Sequence, residues 1–145
     1  MTTAIIGTGG LGSVIARRLA SGGEALRLSS AGKLVVVPSN PLTTDAHGNV
    51  VRVLPEGQPS GKVVAGWLPA GARLAMAFGS LRASLFESAG NRSPEPAVLF
   101  YVTDDDRAGQ EVERLIRTAG FEPVRAGGIV QSGRLEVGGD LQWPG

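Results

Sequence analysis

An α/β domain with a mostly parallel sheet flanked by helices is what this sequence predicts, and three observations predict it. An apolar, β-prone segment at the N-terminus runs straight into a glycine cluster, a helical apolar period follows at once, and strand-like and helix-like segments alternate along the rest of the chain. Thr3 to Ile6 form the first strand, stopped at Gly7. Leu11, Val14, Ile15 and Leu19 then share one helical face, with Arg17 and Arg18 on the other and Gly22-Gly23 as the stop. Ala25 to Leu28 read as a second strand, and Lys33 to Val37 as a third whose unbroken apolar run suits burial on both faces. Pro38-Ser39-Asn40-Pro41 ends it, and residues 42–58 read as a long surface excursion with a short strand at Val50 to Leu54.

Ser60 is placed to cap a helix reaching about Leu68, with Val63, Val64, Trp67 and Leu68 on its core side. Arg73 to Phe78 return as a strand, and Leu81, Leu85 and Phe86 mark a short helix. A proline-bearing loop over 90–96 precedes the strongest strand signal, Ala97 to Val102. Asp104-Asp105-Asp106 open the next helix, whose Val112, Leu115, Ile116 and Ala119 make an apolar stripe, with Glu113 and Arg117 paired at i+4 and Gly120 as its end. Beyond Pro123-Val124-Arg125 the tail to Gly145 is glycine-rich and poorly patterned, and there is no internal repeat.

Composition narrows the chemistry. The 145 residues match one domain, 1–145, and 22 glycines with 9 prolines connect an aliphatic core by many turns. A formal charge of +1 offers no field for gripping a nucleic acid. Zero cysteines and one histidine remove disulfides, thiolate nucleophiles and multi-histidine metal sites, so demanding chemistry has to come from a bound cofactor. No metal site and no catalytic side chain is expected. The absence of a membrane-length apolar run or a leader-like start makes a soluble, cytoplasmic protein the expectation.

Gly7-Thr8-Gly9-Gly10-Leu11-Gly12 fits G-x-G-x-x-G between a strand and a helix, the context that this dinucleotide fingerprint requires and the basis for reading the fold as Rossmann-like. Gly7 allows the tight turn, Gly9 lets the backbone approach a pyrophosphate, and Gly12 lets helix and strand pack closely. About 20 residues on, where an acid would hold an unphosphorylated ribose, stand Ser29 and Ser30 with Lys33 nearby, which favours NADP over NAD. The plainer alternative is that residues 29–32 form an ordinary turn.

Other motifs fall away. Gly57 to Lys62 has the wrong spacing for a phosphate loop, and Tyr101 lacks a lysine four residues later. Asp104 to Asp106 suit helix caps better than a metal, His47 suits a solvated loop, and Trp67 suits the core.

Ala4 to Ser13, the Ser29-Ser30 pair, Val37 to Leu42, Ala77-Phe78, and Thr103 to Asp106 through Ala119-Gly120-Phe121 occur in an order that resembles the F420-dependent NADP oxidoreductase (NADPH:F420 reductase) family. The likeness implies direct hydride transfer between NADP(H) and coenzyme F420 or a related deazaflavin or flavin-like acceptor, with the protein holding two planes together. By position, Thr8, Gly9, Gly10 and Leu11 would meet the pyrophosphate, Ser29 and Ser30 the 2′-phosphate, and Asn40 and Pro41 the nicotinamide end. The partner is then a small-molecule redox acceptor, with neither nucleic acid nor membrane.

The sequence departs from the family at the 31–32 junction, where Ala31-Gly32 stand in place of an arginine, a helix and two strands. Four linking residues reach about 14 Å, short of the ~17 Å needed to return along a five-residue strand. Ala25–Leu28 and Lys33–Val37 are therefore expected to form an antiparallel hairpin, or one of them leaves the sheet or comes from a partner subunit. Two functional readings stay open: an NADPH-dependent reductase, and a shortened, non-catalytic NADP(H)-binding relative. Exposed sheet edges add the expectation of a homodimer.

Overall fold

The computed structural model describes residues 4–5, 34–68 and 70–142. Among these, five strands form one sheet in the order β1-β2-β5-β6-β7: β1 Ala4–Ile5, β2 Leu34–Val37, β5 Arg73–Ala77, β6 Val98–Thr103 and β7 Glu122–Gly127. Two further strands, β3 Leu42–Thr44 and β4 Val50–Arg52, make a separate antiparallel hairpin. Helices α1 Ser60–Trp67, α2 Ala83–Ala89 and α3 Asp106–Thr118 and a 3-10 turn over Ile129–Arg134 complete the described fold.

Neighbouring strands run parallel at β1–β2, β2–β5 and β6–β7, and antiparallel at β5–β6. The sheet is thus mostly parallel, with one reversal that the sequence does not announce. Alternate residues of β2 serve opposite faces. Leu34 and Val36 join Ala75, Leu99, Phe86 and the α3 stripe in one core, while Val35 packs with Leu74, Met76, Val102, Ile129 and Leu135 in the other. That two-sided burial is why the strand reads as an unbroken apolar run.

Helix α3 is built as its sequence dictates. Asp105 accepts a hydrogen bond from the Ala108 N–H at 2.7 Å, Val112, Leu115 and Ile116 are buried, and Gly120 leaves the helix at φ +90°.

Five expectations need correction or narrowing. Lys33–Val37 neither leaves the sheet nor comes from a partner, because Leu34–Val37 sits between β1 and β5 in this same chain; its expected hairpin mate, Ala25–Leu28, and the 31–32 junction lie outside the described residues. The excursion over 42–58 holds two strands rather than one, since β3 and β4 satisfy each other's backbone groups. Ser60 is not a cap: Pro59 holds that position and Ser60 opens α1, its hydroxyl turned to Glu136. Trp67 is not core but 75% exposed. Up to Gln142 the tail contains the end of β7 and the 3-10 turn, neither of which its glycine-rich pattern signals.

Candidate functional site

Parallel register places the carboxyl ends of β1, β2 and β5 at one edge of the sheet, where open α/β folds hold their ligands. The turn that leaves β2 there is tied down by Asn40. Its Nδ2 donates to the Gly79 carbonyl at 3.0 Å, and its Oδ1 accepts from the Val137 N–H at 2.8 Å. One half-buried amide therefore joins the segments that follow β2, β5 and the 3-10 turn, and among the described residues its second N–H is unclaimed.

The segment after β5 is equally constrained. Phe78 is buried at φ +69°, a left-handed conformation that is costly for a bulky residue and concentrates at working sites. A Cβ on Gly79 would stand 2.8 Å from the Pro38 carbonyl oxygen, so only glycine lets the two turns meet. Pro41 anchors the hairpin, its carbonyl accepting from the Val53 N–H at 2.9 Å.

Beneath the hairpin lies a cavity of about 180 Å³. Val37 and Met76 form its floor at the ends of β2 and β5, Val53 and Leu54 one wall, and Val63, Val64 and Trp67 of α1 the other. Asn40, Pro41, Ser39 and Ser60 complete the lining.

A second constellation holds these walls in place. Glu136, 3% exposed, accepts from the Ser60 N–H at 2.8 Å, the Ser60 hydroxyl at 2.6 Å and the Ser132 hydroxyl at 3.2 Å, and pairs with Arg52 of β4. Burial alone would raise its carboxyl, but hydrogen bonds from Ser60 and Arg52 outweigh burial and hold it below the ordinary glutamate range. The hairpin, α1 and the tail are thus pinned to one buried charge. No sequence signal points to it, because its members lie 76 and 84 residues apart.

Of the residues expected to hold NADP, Asn40 and Pro41 lie at this edge and line the cavity. Gly7, Thr8, Gly9, Gly10, Leu11, Gly12, Ser29 and Ser30 lie outside the described residues. The aspartates after β6 are used locally: Asp104 accepts from the Ile129 N–H at 3.0 Å, Asp105 caps α3, and Asp106 pairs with Arg125 at 2.8 Å. Among the described residues no group of three or more His, Cys, Asp or Glu could hold a metal ion, and no helix is long and apolar enough to cross a membrane. His47 is exposed in the hairpin turn, its N–H held by Asp45 at 2.8 Å. Tyr101 is buried and donates to Glu113 at 2.6 Å, away from the cavity lining.

No protein-family model and no curated protein matches this chain. Solved structures do. A hypothetical protein from Sinorhizobium meliloti matches at TM-score 0.78 and 23% identity over 97% of this chain and 93% of its own. A protein from Arthrobacter sp. FB24, named as a candidate F420-dependent NADP reductase, matches at TM-score 0.72 and 19% identity over 89% of this chain and 86% of its own. What these likenesses establish is the architecture: a small, abbreviated, Rossmann-like α/β fold.

Proposed function

We propose that the chain binds NADP(H) and is a reductase, moving hydride between NADPH and coenzyme F420 or a related deazaflavin or flavin-like acceptor. One observation carries the reading. The Gly7–Gly12 fingerprint begins two residues after Ile5, the last residue of β1, and β1 ends at the same sheet edge as the cavity, Asn40 and the left-handed Phe78. The name borne by the Arthrobacter structure agrees with it.

In this reading Gly7 allows the tight turn, Thr8, Gly9, Gly10 and Leu11 meet the pyrophosphate, Gly12 lets helix and strand pack closely, Ser29 and Ser30 meet the 2′-phosphate, and Asn40 and Pro41 the nicotinamide end. Asn40 at the described edge fits the nicotinamide end: its second N–H suits a carboxamide oxygen. Reduced nicotinamide supplies a hydride, two electrons with one hydrogen nucleus, and the acceptor takes its remaining proton from water. The chain's own part is orientation, which Asn40 and the pinned hairpin provide.

Calorimetric titration at fixed salt tests this. Micromolar binding of NADPH, much weaker binding of NADH, and loss of both in Gly9→Val are expected. Failure of both nucleotides to bind overturns the proposal. Binding without consumption of NADPH in the presence of F420 would instead identify the shortened, non-catalytic relative.

The same reading includes a homodimer. Val98 and Val124, 42% and 39% exposed, flank half-buried Phe100 on one sheet face and leave apolar surface there. Light scattering at micromolar concentration should give twice the chain mass; a monomer overturns this part.

A further inference from the structure

We infer that the cavity between the β3–β4 hairpin and α1 seats a flat, uncharged heteroaromatic ring, and that Trp67 is the residue selecting it. The inference rests on the reductase reading for the identity of the ring's owner, the hydride acceptor.

Among the described residues the lining contains no charged side chain and polar ones in three places, Ser39, Asn40 and Ser60. Two of the three are already used: the Ser60 hydroxyl by Glu136 at 2.6 Å, and the Asn40 carbonyl oxygen and one amide N–H by Val137 and Gly79. An ionic group would find almost no partner among these residues to offset its desolvation. An apolar face loses no hydrogen bonds and gains contact with Val37, Val53, Val63, Val64 and Met76. About 180 Å³ is below the usual range for a whole drug-sized ligand, so the cavity admits one ring system while the rest of the molecule stays outside.

Trp67 gives the preference for flatness. It is the largest side chain in the lining, at the last position of α1, and 75% of it is open to water. An indole offers a broad rigid face whose offset stacking on another π-system adds to plain area burial. Val53, 55% exposed, faces the same cavity from the hairpin. The spacing between these walls is set by Arg52 on the hairpin and Ser60 on α1 meeting at Glu136. The slot therefore exists before its ligand arrives, and ordering it costs little on binding.

The chain has two tryptophans, Trp67 and Trp143, so Trp143→Phe leaves Trp67 as the only indole. Titrating that protein with riboflavin and with 5-deazariboflavin should quench Trp67 emission saturably and shorten its lifetime. In otherwise wild-type protein, Trp67→Ala should weaken riboflavin binding about tenfold or more, Trp67→Phe about threefold or less, and NADPH affinity should stay within about twofold in both. Val53→Asp, at an exposed position that tolerates a charge in the fold, should weaken riboflavin as Trp67→Ala does; circular dichroism verifies that each variant is folded. Unsaturable quenching, or undiminished riboflavin affinity in Trp67→Ala, overturns the inference. Failure of NADPH to bind the unmodified chain overturns the reductase reading instead, and the ring site is then judged on the riboflavin titration alone.

Discussion

Glu136 is a buried acid whose desolvation is offset from three directions, by Ser60, Ser132 and Arg52. Removing one member of such a buried set leaves the others unpaired, so Glu136→Ala should cost about 3–5 kcal/mol in chemical denaturation. Glu136→Gln, which keeps an acceptor for the Ser60 N–H, should cost less. The pH dependence follows from the direction of its shift. The folded carboxyl sits below its ordinary value of 4.5, so on acidification the unfolded chain takes up the proton first. The stabilisation is complete above that ordinary value and is lost as pH falls through the folded one. Denaturation midpoints should hold level from neutrality to about pH 5 and fall below it, more gently in Glu136→Gln. None of this was legible in the sequence, where Ser60 reads as a helix cap and Arg52 as surface. Local pattern reports what a residue can do for its neighbours; a partner 76 residues away lies beyond it. Asn40 is the intermediate case. Its place at the strand end could be read, but not its hold on Gly79 and Val137.

Among elements, legibility tracks how local the stabilising interactions are. Helix α3 carries its cap, its buried stripe and its glycine stop within its own residues, and β2, β5 and β6 carry apolar runs that need burial wherever they go. Strand β7 has Pro123 and Gly127 and pairs on one side with β6, while β3 leans on β4, so both owe their form to a neighbour. The contact between β6 and α3 makes a prediction of its own. Burial first, then the hydrogen bond and charge of Glu113, push the Tyr101 hydroxyl up to about 12. It is the only tyrosine in the chain, so phenolate absorbance reports it alone. The absorbance should rise near pH 12 in the folded protein and at a lower pH, still above about 10, in Glu113→Gln, where burial remains. Because the folded value is the raised one, this contact's stabilisation is whole below about pH 10 and is lost as pH rises through about 12.

For the whole molecule, alternating strands and helices imply parallel crossovers, and the reversal between β5 and β6 is where that inference stops working. Helix α2 has seven residues and rises about 10 Å, less than the ~17 Å of a five-residue strand. The chain is not carried back along β5, and β6 begins at the edge where β5 ended. The reversal has an electrical consequence. Because β6 runs the other way, the N-terminal end of α3, with its partial positive charge, opens at the edge opposite the cavity, and Asp105 already answers it. With a formal charge of +1 spread over the chain, little long-range attraction reaches a multiply charged nucleotide. Encounter should therefore be governed by shape at short range. Stopped-flow association rates for NADPH should change by less than about tenfold with ionic strength, the smallest response expected of an electrostatically guided partner.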